Sequence, residues 1–217
     1  MSTSSVTAPS SRTQVRRSAA NASYERAVLH AIIDAAYICH IAFQDEHGAH
    51  CIPTAAWRIG EHLYIHGSNG SRLLKRLVEQ SCCVTITHVD GLVLARSAFN
   101  HSMNYRSAMV YGCFEVVADE AARHAALESF MEHLVPGRQG DVRAGSDKEY
   151  AATTVLRISL AEAACKTRSG PPVDDEGDMA STAWAGVLPL QQLRGAPVAD
   201  PLCTVAAPDY VLNWREG

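Results

Sequence analysis

No apolar run in these 217 residues reaches the roughly 18 that a membrane span requires. The opening stretch MSTSSVTAPSSRTQVRRSAAN also lacks the apolar centre of a secretory leader, so a cytoplasmic location without membrane contact is expected. Charge of one sign is scarce: 19 Lys and Arg against 23 Asp and Glu leave a formal −4. No global field would hold the chain on nucleic acid. The seven cysteines are odd in number and contain no C-x-x-C pair, which argues against a disulfide framework or a zinc site. Most lie in apolar strand-like runs, where a thiol behaves as a small buried hydrophobe. G-x-x-x-x-G-K-[ST], G-x-G-x-x-G, H-E-x-x-H and G-x-S-x-G are all absent. The standard triphosphate and dinucleotide loops, the zinc-protease helix and the hydrolase elbow are thereby excluded, and no metal site is expected.

What is present suffices for one packed domain, with 47% hydrophobic and 19% charged residues and no internal repeat. Residues 1–21, rich in Ser, Thr and Arg without a hydrophobic period, are expected to form a flexible lead-in, 22–190 the domain and 191–217 an extension. Tyr24, Val28, Leu29, Ile32 and Ile33 recur at helical spacing, with Ser23 placed to cap the helix. The period then drops to two. AYICHIAFQ (36–44), AHCIPTAAW (49–57) and HLYIHG (62–67) predict three strands joined by turns at DEHG and RIGE. Pro53 removes a ladder donor from the second run and predicts an edge or a bulge, where backbone groups are left for a ligand. A helix over 71–80 with a stripe of Leu73, Leu74, Leu77 and Val78 follows, then strands over 81–91, 91–99 and 105–118. A helix capped by Asp119 and stopped at Pro136-Gly137 precedes a last strand over 153–163. The pattern is that of an α+β protein on an antiparallel sheet, closed most economically as a barrel.

Residues 66–79, HGSNGSRLLKRLVE, pass from a strand end through a small polar loop into an amphipathic helix. A helix start offers unpaired N–H groups and partial positive charge, which suit an anion. Gly67 and Gly70 permit close backbone approach, Ser68 and Ser71 supply hydroxyls, and Arg72 supplies a fork matched to phosphate. Lys75 adds a charge one turn on. The same residues serve equally as a helix cap with solvated cations, and spacing alone leaves both readings open. His66, at the strand end, can hydrogen-bond a ligand and move a proton near neutral pH. Asn104, Arg106 and Ser107 stand at the entrance of the apolar strand in NHSMNYRSAMVYG and can project into a pocket. The acidic group Asp174, Asp175, Glu176 and Asp178 is expected to be a solvated turn.

In their order and spacing, IPTAAWRIGEHLYIHGSNGSRLLKRL (52–77), YRSAMVYG (105–112), KTRSGPPVDDEGD (166–178) and WAGVLPL (184–190) resemble the pyridoxamine 5′-phosphate oxidase-like flavoproteins, over residues 23–190. They are most similar to the branch of flavin-nucleotide-binding proteins and nitroimidazole-reductase relatives. The resemblance implies an antiparallel Greek-key split β-barrel with flanking helices, FMN as cofactor, and a homodimer with flavin sites between subunits. It also implies that Ile52, Pro53, Thr54 and Ala55 lie along the isoalloxazine edge. Ser71 and Arg72 match the phosphate-binding pair, with His66 and Ser68 lining the approach and Lys75 a looser match. Arg106 and Ser107 match the strand position that reaches the flavin. The oxidase's C-terminal W-R-L motif has no counterpart, so vitamin B6 oxidation is not implied. The implied activity is hydride or electron transfer between a nicotinamide nucleotide and a small-molecule acceptor such as a nitro compound. A non-catalytic flavin carrier or sensor, and haem binding through an axial histidine, stay open as alternatives.

Overall fold

In a computed structural model of the chain, which describes residues 7–216, the first helix starts later than its period predicts. Ser23 is paired with Cys165 as part of strand β1 (Ala22–Ser23), which holds it extended, and helix α1 (Arg26–Asp34) is capped at Glu25 instead. Residues 1–6 of the expected lead-in lie outside the described residues. Beyond them the segment is mostly exposed but pinned at a few points: Thr13 is buried, Ser10 donates to Glu162 at 2.6 Å, and Val15 N–H donates to the Tyr24 hydroxyl at 2.9 Å.

The strand-like runs divide between two antiparallel sheets. β2 (Ile38–Asp45) and β3 (Gly48–Ala55) form a hairpin, after which β4 (Trp57–Ile59) and β5 (His62–Ser68) belong to the second sheet. Helix α2 (Arg72–Glu79) leads into β6 (Cys82–Leu94), which merges the two strands expected over 81–99. Its ladder with β7 (Ser102–Gly112) shifts register between Val89 and Gly91, a bulge in place of a turn. β8 (Glu115–Val116), α3 (Glu120–Leu134), α4 (Asp147–Ala151), β9 (Thr153–Ser159), β10 (Ala163–Arg168), β11 (Gly186–Pro189) and α5 (Asp209–Leu212) complete the chain. The larger sheet runs β1-β10-β7-β6-β2-β3 with β11 also on β6, and the smaller runs β4-β5-β9-β8. Three runs with one continuous alternation, 49–57, 105–118 and 153–163, each cross from one sheet to the other. Those crossings make this α+β fold a split barrel.

The barrel core lies between the sheets. Ile41, Val84, Ile86 and Val110 meet Leu63, Ile65, Leu156 and Ile158, with Ile32 and Ile33 of α1 and Leu74 and Leu77 of α2 closing the ends. Burying each such side chain contributes roughly 1.5–3 kcal/mol. The stripe of α2 is narrower than expected, because Val78 is 38% exposed. On its other face the smaller sheet carries Trp57, Tyr64 and Val155, which pack against Ala126, Leu127 and Phe130 of α3. Asp119 caps α3 by accepting from Ala122 N–H at 2.8 Å. The outer face of the larger sheet stays open, with Ile38, Val89 and Met109 exposed.

Candidate cofactor sites

β3 pairs only with β2, in unbroken register from Ile38–Ala55 to Asp45–Gly48, so Pro53 marks an edge and not a bulge. Backbone groups of Ile52, Pro53, Thr54 and Ala55 on the side away from β2 are left without a strand partner. At the hairpin tip this edge arrives beside α2: Arg72 Nη2 lies 4.0 Å from Asp45 Oδ2 and its side chain is 60% exposed. Asp45 is buried, sits 2.7 Å from His50 Nε2 and accepts from His47 N–H at 2.8 Å. The His50 bond, ahead of the His47 N–H, holds its carboxyl below the usual range, while Oδ2 has no hydrogen-bond partner.

Both expected roles of the loop before α2 leave traces. Ser71 Oγ caps the helix by accepting from Leu74 N–H at 3.4 Å, and Ser68 Oγ holds the preceding turn by accepting from Gly70 N–H at 3.3 Å. Asn69 is tied to the Ala151 carbonyl at 2.7 Å and to the Thr154 hydroxyl at 2.7 Å. Arg72 and Lys75 remain exposed. Arg76, by contrast, is engaged by Glu46 at 2.6 Å and Glu79 at 3.1 Å.

His66 does not line this approach. A Cβ on Gly67 would lie 3.1 Å from Leu74 of α2, so Gly67 faces that helix and His66, one residue earlier, faces the opposite side of the sheet. There its ring lies 4.7 Å from Phe130 and 5.7 Å from Trp57, and Nδ1 is buried with no partner. Burial pushes its pKa down, which keeps the imidazole neutral at pH 7. It lines a cavity of about 590 Å³ walled by Leu127, Phe130, Met131 and Val142. At the mouth Arg143 forks onto Glu149 at 2.7 Å through both of its terminal nitrogens. An apolar slot with one unpaired neutral imidazole suits a large planar group that takes an axial nitrogen.

The third group is also rearranged. Asn104 points inward, donating to the Gly170 carbonyl at 3.1 Å and accepting from Arg168, so it anchors the loop after β10 and not a pocket. Arg106 is held by Asp90 through two bonds of 2.8 and 2.9 Å, and Ser107 donates to the Lys166 carbonyl at 3.1 Å. Pro53 is in line with His40, Thr85 and Met109 across the sheet. Met109, and with it neighbouring Ser107, is thus three strand spacings from the β3 edge, about 14 Å. Within one chain Arg106 and Ser107 do not join Ser71 and Arg72. Asp174 departs from a solvated turn as well: its buried carboxylate accepts from Arg96 N–H at 2.7 Å and from Nη1 at 2.8 Å.

The cysteines are all free; Cys39, Cys82 and Cys165 are buried and Cys51, Cys113 and Cys203 exposed. Burial pushes the Cys39 and Cys82 thiols up to about 12. No helix is long and apolar enough to cross a membrane among the described residues. Phe130 and Arg143 are not foreseeable as site residues, because the cavity they share with His66 depends on where α3 docks.

Fold and edge strand together define a split barrel of the oxidase type. The chain belongs to the pyridoxamine 5′-phosphate oxidase family, whose model matches residues 25–167. Among solved structures it is similar to the flavocytochrome Anf3 of Azotobacter vinelandii, at 41% identity over 95% of this chain and 97% of that one, with a TM-score of 0.91. The FAD and haem binding protein of Mycobacterium smegmatis is 35% identical over 88% and 95% of the two chains, with a TM-score of 0.84. A 5-nitroimidazole antibiotic resistance protein of Bacteroides thetaiotaomicron shares the fold at 22% identity over 67% and 85%, with a TM-score of 0.56. A search of curated proteins gives no match.

Proposed function

We propose that this protein is a flavin-dependent oxidoreductase, and the observation that carries the proposal is the bare β3 edge running to the Arg72 corner. The backbone of Ile52–Ala55 orients the ring, while Ser71 and Arg72 take the phosphate, as in FMN. When bound, the flavin supplies hydride and electron transfer, with a nicotinamide nucleotide as donor and a small electrophile as acceptor. Residues 52–55 carry no ionisable side chain, so the strand orients the ring and moves no proton. The exposed Ile38, Val89 and Met109 face is where a second copy packs, and the homodimer supplies Arg106 and Ser107 from the partner. Purified protein is expected to show flavin absorbance and to be reduced anaerobically by NAD(P)H faster than free FMN. A rate equal to that of free FMN would leave a flavin carrier.

A second cofactor is favoured by the unpaired, buried Nδ1 of His66 and by the two similar proteins described as a flavocytochrome and as FAD and haem binding. The residues fit haem: His66 would supply a nitrogen ligand and Phe130, Leu127 and Val142 the apolar walls, while Arg143 is already paired with Glu149. Haem, when bound, would add one-electron chemistry; burial lowers the His66 pKa and so favours the neutral imidazole. Reconstitution should give a Soret band that His66→Ala abolishes while the protein stays folded by circular dichroism. A band that survives in His66→Ala places the ligand elsewhere.

A further inference from the structure

The larger sheet contains a notch. β7 lines one edge of β6 from Cys82 to Val93, but the other edge is shared by two strands that do not meet. β2 pairs as far as Thr85 and β11 begins at Gly91. Between them β6 has a strand on one side only, apart from Leu190 N–H donating to the Asp90 carbonyl at 3.1 Å. Its free backbone groups open into a cavity of about 780 Å³, within the range of small-molecule sites.

Residues 191–195 and Trp214, from the C-terminal extension, wall this cavity together with Leu190 and Tyr37. Arg194 joins the two parts of that wall, with its guanidinium 4.3 Å from the Trp214 ring centroid and a bond of 3.4 Å to the Trp214 carbonyl. Asp90 and Arg106, which this cavity shares with the face proposed to meet a second copy, cancel each other's charge across their two bonds. Among the described residues no carboxylate pairs with Arg194, whose guanidinium stands in the cavity wall beside aromatic rings and a bare strand edge. A strand edge offers alternating N–H and C=O groups to a planar heterocycle, an aromatic ring offers it a stacking face, and a guanidinium offers phosphate a planar fork.

We propose that the notch binds an adenine nucleotide unit, with its base on the bare β6 edge between β2 and β11 and its phosphate on Arg194. This gives the C-terminal extension a function and rests on the flavin proposal for only one of two sources of the ligand. The adenylate is either the distal half of a dinucleotide flavin, whose other half lies on β3, or part of a separate nucleotide.

The test uses full-length protein and adenosine 5′-monophosphate in isothermal titration, without flavin and after saturation with FMN or with FAD. Binding to the flavin-free protein is expected, weakened at least about tenfold by Arg194→Ala, the loss of one charge-assisted contact. Trp214→Leu, which removes the ring and keeps the cation, should also weaken it. FMN affinity should be unchanged in both variants, so a failure of the flavin proposal would appear separately, as absent FMN binding in the parent protein. If the ligand is the flavin's distal half, FAD binds more tightly than FMN, Arg194→Ala removes the difference, and FAD blocks the monophosphate. If it is a separate nucleotide, the FAD-loaded protein still binds the monophosphate. No binding of the monophosphate by the parent protein, or binding indifferent to both substitutions, overturns the proposal.

Discussion

Replacing Arg72 by alanine separates the two roles open to the loop before α2. The side chain is 60% exposed, and its nearest carboxylate oxygen is 4.0 Å away on Asp45. An exposed pair at that separation contributes at most about 1 kcal/mol. Alanine, a slightly better helix former, returns a few tenths of that. The melting temperature should therefore fall by no more than about 3 °C. If Arg72 holds a phosphate, the lost charge-assisted bond is worth roughly 1.5–3 kcal/mol, and flavin binding should weaken about 10- to 150-fold. Asp45 stands where it repels the same anion, so Asp45→Asn, which keeps an acceptor for His47 N–H, should tighten binding in the opposite direction. Titration of FMN followed by flavin fluorescence, at low and high ionic strength, reads both effects, and salt should shrink them. An Arg72→Ala protein with the parent's dissociation constant and salt dependence would reduce the loop to a helix cap.

Three further outcomes follow from packing and charge. Trp57 is fully buried and its indole N–H has no partner. Trp57→Phe removes that orphan, a gain of about 1–3 kcal/mol, and loses a similar amount to the space left behind, so urea melts should shift by under about 1 kcal/mol. Trp57→Ala should cost about 3–5 kcal/mol, and an equal cost for phenylalanine would mean that the N–H is satisfied. At Gly91 a Cβ would lie 3.0 Å from Val187 and 3.1 Å from the Leu188 carbonyl. Gly91→Ala should loosen β11, costing roughly 1–3 kcal/mol and speeding amide exchange at Val187 and Leu188; unchanged protection there would refute the close approach. Asp45, Asp90 and Asp174 are each held below the usual carboxylate range, by the His50 bond, the Arg106 side chain and the Arg96 backbone N–H respectively. Depressed carboxylates stabilise the fold above their unfolded pKa of about 3.9 and lose that contribution as pH falls through the lower folded values. Burial likewise lowers the His66 pKa, so urea midpoints should slip as pH falls below about 6.5 and decline further below about 4, the second loss less steep in Asp90→Asn.

The strands of this fold are legible because inward positions alternate with outward ones, and Ile41, Leu63, Ile65, Val84 and Val110 all lie where alternation puts them. Alternation does not show where a run changes sheet, because the period continues through the corner while the pairing partner changes. AHCIPTAAW is one signal and two strands, β3 on β2 and β4 on β5. The phosphate corner is legible for a related reason: Ser71 and Arg72 are adjacent in sequence, and their positions at the helix start follow from local geometry. His66 faces the side opposite to the loop it adjoins, since a glycine at 67 facing α2 obliges residue 66 to face away. What decides the matter is the packing of Gly67 on Leu74, a contact between elements that no window of sequence displays. The extension is the extreme case. It is held by single side chains, Arg194 on Trp214 and Tyr210 between Arg138 and Asp141, and anchors of that kind leave no period at all. The segment with the least sequence signal is therefore the one that walls a cavity of about 780 Å³, and its contribution to binding can be found only through the few residues that hold it there.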